Sequence, residues 1–413
     1  MAGGTSPVLD RTLRTLLGAT AFAIPLSVKV FFPGVDLEII FPAEPLIGAT
    51  FLLALKAMCG KRRWSIIDRT FVRQPISIAV LVYLVASLVS VAFSSMPLVS
   101  VKAFVVRLSY AVLFYFLIGS MPVSGRYGAT GLLKNYVVAF LPILVFAFSN
   151  QVEGGLDRAS AGFVSFPFYV DHTIFSAAMV FVLFMGLAAT ARAYAEDSDR
   201  GKVLAYGVIS AALVVGLFLS YSRAAWISAL LAVLIAVAFG LWRFERRLAL
   251  LFGVALLVGA WSVGQHFMQA DRIRVDASAY GSGARESVLS LANTTTDPSN
   301  VERLNRWSCA WRMFLDRPLT GFGPGTYQFQ YLNYQLPEET SSLSIVDTAA
   351  VGAAVRYMTG PRKVLVRISP MVIQHSGGTA HSEYLLALSE SGPLAFGSLI
   401  ALLLLAQVAA IRC

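Results

Sequence analysis

About ten apolar stretches, each long enough to cross some 30 Å of hydrocarbon as a helix of roughly 20 residues, constrain this chain more than any other feature. They lie at approximately residues 14–31, 37–58, 75–94, 98–119, 132–149, 171–190, 203–220, 224–241, 248–265 and 382–411. The expected fold is all-α, a polytopic helical membrane protein. Composition agrees, since 57% of the 413 residues are hydrophobic and only 14% charged, against about a quarter charged in soluble domains. A net charge of +10 would suggest nucleic acid for a soluble protein, but in a membrane protein basic residues collect in cytoplasmic connections. Nucleic acid is therefore not expected as a partner, and membrane lipids are. The first stretch follows Arg11 and Arg14 and contains "ATAFA", like a secretory signal, yet with so many spans behind it an uncleaved first helix is expected. Cys59, Cys309 and Cys413 have neither metal-ligand spacing nor an even count, so no disulfide framework or zinc site follows.

The basic residues also orient the chain. One alternating set of connections holds Arg11, Arg14, Lys56, Lys61, Arg62, Arg63, Arg69, Arg73, Arg126, Lys134, Arg192, Arg200, Lys202, Arg243, Arg246, Arg247 and Arg412, whereas the short connections of the other set hold only Lys29, Arg158 and Arg223. The amino terminus is predicted to be cytoplasmic. In that register residues 1–266 carry membrane helices one to nine, 267–380 form a long extracytoplasmic loop domain, and 381–413 carry the tenth helix. The loop is too polar to be embedded and too long to be a mere connection.

Three pieces of the chain carry candidate chemistry. In "LFLSYSRAAWISALLAVLIAVAFGLW", Arg223 stands between two apolar runs. In the loop, "SNVERLNRWSCAWRMFLDRP" reads as a helix, with Ser299 and Glu302 as a capping box and Leu304, Trp307, Trp311, Phe314 and Leu315 as its apolar stripe. Arg303, Arg306 and Arg312 lie mostly off that stripe. The following "LTGFGPGTYQ" marks a tight turn but lacks the Lys-Ser/Thr ending of a phosphate-binding loop, so nucleotide binding is not expected. Finally "QHSGGTAHSEYLLALSESGPL" runs into the last helix and places His381 at the outer membrane surface.

Together "YSRAAW", "ERLNRWSCAWRMFLDRPLTGFGPGTYQ" and "AHSEYLLALSESGPL", in this order over roughly residues 205–405, resemble the bacterial O-antigen ligase and O-antigen polymerase superfamily. The resemblance implies transfer of a glycan from an undecaprenyl diphosphate carrier to an acceptor hydroxyl, on a glycan or on lipid A-core, at the periplasmic face of the inner membrane. It implies diphosphate-holding roles for Arg223 and Arg303, with Arg306 one turn away as the competing assignment, and an acceptor-activating role for His381. It implies no cofactor and no metal. Such proteins usually carry further membrane helices, so the chain is expected to be a short member or to continue past Cys413.

The residue types suit that chemistry on their own terms. A guanidinium matches phosphate oxygens bidentately and stays charged, and an imidazole accepts a proton near neutral pH. Each residue also has an ordinary reading: Arg223 as an interfacial arginine snorkelling to headgroups, Arg303 as part of a solvated helix face, His381 as a helix-entrance residue. His375 carries no motif, and Glu383 and Glu390 are left out of the site. Arg107 would sit about 14 Å deep in the fourth helix, where a charge costs about 3 kcal/mol or more without a partner; it lines a carrier groove or closes an ion pair. Asp171 and His172 open the sixth helix as substrate contacts or as a helix cap. Two other classes remain open. A metal-dependent polyprenyl-phosphate glycosyltransferase would use Asp36 and Glu38 of "PGVDLE", and a lipid-glycan flippase would line its path with residues such as Arg107.

Overall fold

The protein is described from a computed structural model that covers residues 7–32, 37–59, 67–121, 128–156, 161–195, 200–244, 247, 298–336, 339 and 379–412. Helices dominate: α1 (Pro7–Leu26), α2 (Ala43–Cys59), α3 (Arg69–Val72), α4 (Pro75–Ala92), α5 (Pro97–Tyr110), α6 (Ala129–Glu153), α7 (His172–Ala195), α8 (Arg200–Leu219), α9 (Arg223–Phe244), α10 (Pro298–Asp316), α11 (Tyr327–Gln330) and α12 (Glu383–Arg412). Among the described residues, six helical stretches are long and apolar enough to cross a membrane, at Pro75–Ala92, Pro97–Leu117, Ala129–Glu153, His172–Ala195, Arg200–Leu219 and Glu383–Ala410. The polytopic helical membrane fold is thus present. The expected helix over 248–265 and most of the loop over 267–380 lie outside the described residues.

One expectation fails between the first two helices. The helices predicted over 14–31 and 37–58 are separated by an antiparallel ribbon, β1 (Val28–Phe32) against β2 (Leu37–Phe41), with Val28 opposite Phe41 and Phe32 opposite Leu37. Hydropathy alone absorbed both strands into helices, because a short apolar run does not distinguish strand from helix. Their β-branched and aromatic content, "VKVFF" and "LEIIF" on either side of a Pro-Gly pair, favours the ribbon.

The chain divides into two compact units. The first comprises residues 1–18, 45–132 and 295–413. Within it α12 packs along α4 through small side chains, with Ser77, Ala79, Ala86, Ser87 and Ser90 buried on α4 and Ala387, Ser391, Ala395 and Ser398 buried on α12. Small residues let helix backbones approach closely where lipid supplies no hydrophobic driving force. α5 continues into a π-helical turn over Ala111–Leu117 that buries Leu113, Phe116 and Leu117. The second unit comprises residues 19–44 and 133–294. Its core is formed by Phe140, Ile143 and Leu144 of α6, Phe175, Met179 and Val182 of α7, and Leu213 and Leu217 of α8. Phe181 and Val145 are each 68% exposed on the outside of the same helices, the apolar exterior expected of a lipid-facing bundle.

Candidate active site

In the first unit, the site is built on a break in α12. At Gly392 the backbone leaves the helix (φ 77°, ψ −176°), and Pro393 follows without an N–H to give to the Ser389 carbonyl. The glycine-rich turn after α10 supplies the missing donors. Phe322 N–H donates to the Ser389 carbonyl at 3.1 Å and Gly323 N–H to the Glu390 carbonyl at 2.9 Å, where the Ser90 hydroxyl also donates at 2.6 Å. The chain passes so close that a Cβ on Gly392 would lie 2.2 Å from the Leu319 carbonyl oxygen, and one on Gly321 would lie 2.4 Å from the Glu390 carbonyl carbon. The Phe322 carbonyl accepts in turn from Ser95 N–H at 3.0 Å, in the turn between α4 and α5.

Beneath this turn lies a buried ion pair. Arg107 Nη2 donates to Glu390 Oε2 at 2.7 Å, Tyr327 N–H donates to Oε1 at 3.2 Å, and Glu390 is 2% exposed. The ion pair considered for Arg107 is therefore formed, with the carboxylate that sequence reasoning left out of the site. Arg107 Nη1 is buried without a hydrogen-bond partner among the described residues. Glu390 was detectable in sequence only as a carboxylate inside an apolar helix, since its partner is 283 positions away.

α10 packs against the beginning of α12, and its buried face is not the one expected. Cys309, Ala310 and Met313 join Phe322, Tyr327, Tyr331 and Ala380 in one cluster, whereas Leu304, Trp307, Trp311 and Leu315 are exposed. The helix also starts at Pro298, one residue before the expected cap at Ser299, and the Glu302 carboxylate, itself buried, accepts from Arg306 Nε at 2.6 Å. Arg306, 8% exposed, also donates through Nη1 to the Thr379 carbonyl at 3.0 Å and lies 5.2 Å from the Tyr331 ring centroid. Arg312 is held by Glu339, with Nη1 2.8 Å from Oε2, and this guanidinium keeps the Glu339 carboxyl below its usual range. Burial, followed by the Glu339 charge, pushes the Cys309 thiol up to about 11, which removes it as a nucleophile near neutral pH. Arg303, half-buried, makes no ion pair among the described residues.

This packing determines how His381 is presented. Ala380 is fully buried in the cluster, the Thr379 carbonyl is held by Arg306, and the Thr379 hydroxyl accepts from His381 N–H at 3.3 Å. His381 itself adopts a left-handed backbone (φ 51°) and is exposed. Arg303, Arg306, His381 and Arg107 thus belong to one unit.

Arg223, Asp171 and His172 belong to the other. Arg223 is the first residue of α9, after a turn in which Tyr221 is left-handed (φ 50°) and its hydroxyl donates to the Leu156 carbonyl at 2.9 Å. Trp226 fixes the turn by donating from Nε1 to the Leu217 carbonyl at 2.7 Å and by stacking on Phe218. A cation at a helix N-terminus opposes the macrodipole and so is not placed there for helix stability, and together with the positive end of that dipole it makes an end suited to anions. Asp171 caps α7, accepting from Thr173 N–H at 2.6 Å, and lies 3.1 Å from His172 Nδ1. Burial raises its pKa, but the His172 and Thr173 hydrogen bonds outweigh burial and hold it at about 2. Asp36, His266 and His375 lie outside the described residues, as does the side chain of Glu38.

Residues 208–355 match the family model described as O-antigen ligase. That stretch includes Arg223, Arg303 and Arg306, and ends before His381. No curated protein and no solved structure matches the chain. Over these residues the chain is similar to the O-antigen ligase family, and together with the apolar helices this supports a membrane protein of the O-antigen ligase and polymerase superfamily, whose members are glycosyltransferase-like enzymes.

Proposed function

We propose that the protein transfers a glycan from undecaprenyl diphosphate to an acceptor hydroxyl at the periplasmic face of the inner membrane, and that the transfer is O-antigen ligation to lipid A-core. Polymerisation of repeat units uses the same donor chemistry and is the second reading. The observation that carries the proposal is the contrast along α10. Arg306 and Arg312 are committed to Glu302 and Glu339, whereas Arg303, inside the matched stretch, makes no ion pair among the described residues, on the helix that anchors the backbone of His381.

In the proposed reaction the acceptor oxygen attacks the anomeric carbon and the bond to the diphosphate oxygen breaks. The electron pair leaves on the diphosphate, and the acceptor proton passes to His381. Single displacement inverts the anomeric configuration. Arg223 and Arg303 neutralise charge on phosphate oxygens, the largest demand when the leaving group is already good. Neither a nucleotide nor a metal is assigned a role.

The test is deletion in the native organism followed by lipopolysaccharide electrophoresis. Loss of all long-chain material over an intact core is expected. A core bearing a single repeat would replace ligation by polymerisation, and an unchanged pattern would remove both.

A further inference from the structure

α10 has two apolar faces. One is the core cluster of Cys309, Ala310 and Met313; the other carries Leu304, Trp307, Trp311 and Leu315 at 39–59% exposure, with Leu319 at 81% just beyond the helix. At about 100° per residue the exposed four fall within roughly 80° of one another, on the side opposite the core. Arg303 lies on one flank of that stripe and Arg312 on the other. A water-soluble domain would bury two tryptophans and three leucines; here they are presented outward in a row.

We propose that this face of α10 lies in the outer headgroup–acyl boundary of the bilayer, so that the helix rests on the membrane that α4, α5 and α12 cross. Continuity is the first argument. The carboxyl end of α10 is tied to the outer end of α4, where Arg317 Nη1 donates to the Phe93 carbonyl at 3.4 Å. Phe93 at the end of α4 and Leu98 at the start of α5 are 60% and 88% exposed in that same turn, so exposed apolar side chains of the spans stand next to the end of α10 that carries Leu315 and Leu319. Chemistry is the second argument. Tryptophan prefers the interface, and an apolar stripe bordered by basic residues is the pattern of a helix lying in the membrane plane, with Arg303, unlike the Glu339-bound Arg312, placed to reach the phosphates beside it. Arg303 is then held at the level of lipid phosphates, which deepens the proposed donor-binding role without depending on it.

Spin labels test the placement on the full chain, reconstituted in bilayers of phosphatidylethanolamine and phosphatidylglycerol. Cys59 and Cys413 are replaced by Ser, and Cys309 is retained because it is buried. Labels enter singly through Leu304→Cys, Trp307→Cys, Trp311→Cys and Leu315→Cys, with Asp316→Cys as the polar-flank control. The four are expected to collide several-fold more with oxygen than with a water-soluble nickel chelate, and Asp316→Cys to do the reverse. Collision with the chelate at all five positions would place the face in water. Shielding from both probes would mean that protein covers it, either another segment of this chain or a second copy; each result overturns the proposal. If the tryptophan variants fail to fold, Leu304→Cys and Leu315→Cys bracket the same stripe. A negative result here leaves the lipopolysaccharide test of the transfer reaction untouched.

Discussion

Two arginines one turn apart on α10 have opposite fates. Arg306 is enclosed with Glu302, so Arg306→Ala breaks a buried ion pair, a loss of about 3–5 kcal/mol. Arg303 makes no ion pair among the described residues, and Arg303→Lys should leave the fold intact while removing the bidentate fork, with a loss of about 1.5–3 kcal/mol of charged hydrogen bonding, or roughly 10- to 100-fold in donor affinity. Thermal stability and donor binding measured on both variants separate the two roles. Normal binding by Arg303→Lys would sink its assignment. Sequence alone left the register between these arginines open, although the spacing of Glu302 and Arg306 already offered an i,i+4 pair. The commitment of Arg306 to the Thr379 carbonyl was beyond sequence, because it joins positions 73 apart.

Elements were legible where length and hydropathy decide them. α4, α5 with its π-helical continuation to Leu117, α7, α8 and α12 appear within a few residues of their expected bounds, since nothing but a helix satisfies a long apolar backbone in lipid. The ribbon of β1 and β2 and the inverted face of α10 were misread for related reasons. Hydropathy reports that a residue is apolar, not whether its neighbour is strand, core or lipid. The break in α12 was written in "SGP", but its purpose appears only once the turn after α10 is laid against it. Gly321 (φ 66°) stands where a side chain would meet backbone, which cannot swing away, and a left-handed non-glycine residue costs a further 1–2 kcal/mol or so. Gly321→Ala should therefore detach the turn from α12, lowering thermal stability and exposing the loop to protease. Gly397→Ala is the matched control in the same helix. Nothing lies within 4 Å of its Cβ position, and alanine favours helix by about 1 kcal/mol, so its stability should hold or rise. Equal behaviour of the two variants would remove the turn from the architecture of the site.

At the scale of the whole molecule, the net charge of +10 acts as an orientation signal, and the native cysteines can read it. The connection between α2 and α3 carries Lys61, Arg62 and Arg63, and the one between α7 and α8 is flanked by Arg192 and Arg200, whereas the turn between α4 and α5 has no Lys or Arg. In the proposed orientation, with the basic connections inside, Cys59 at the end of α2 is cytoplasmic and α10 is outside. Cys59 is exposed; Cys309 is 1% exposed, and burial holds its thiol mostly protonated, up to about 11. A membrane-impermeant maleimide should therefore leave the wild-type chain unlabelled in intact spheroplasts, despite Cys309 facing the reagent, and should label Cys59 on permeabilisation. Leu332→Cys, 53% exposed beside α11, should then label in intact spheroplasts. The reverse pattern, with Cys59 labelled from outside and Leu332→Cys protected, would put His381 and Arg303 in the cytoplasm. There they would face the wrong side of the membrane for a periplasmic acceptor, and the proposed transfer would fall with the topology.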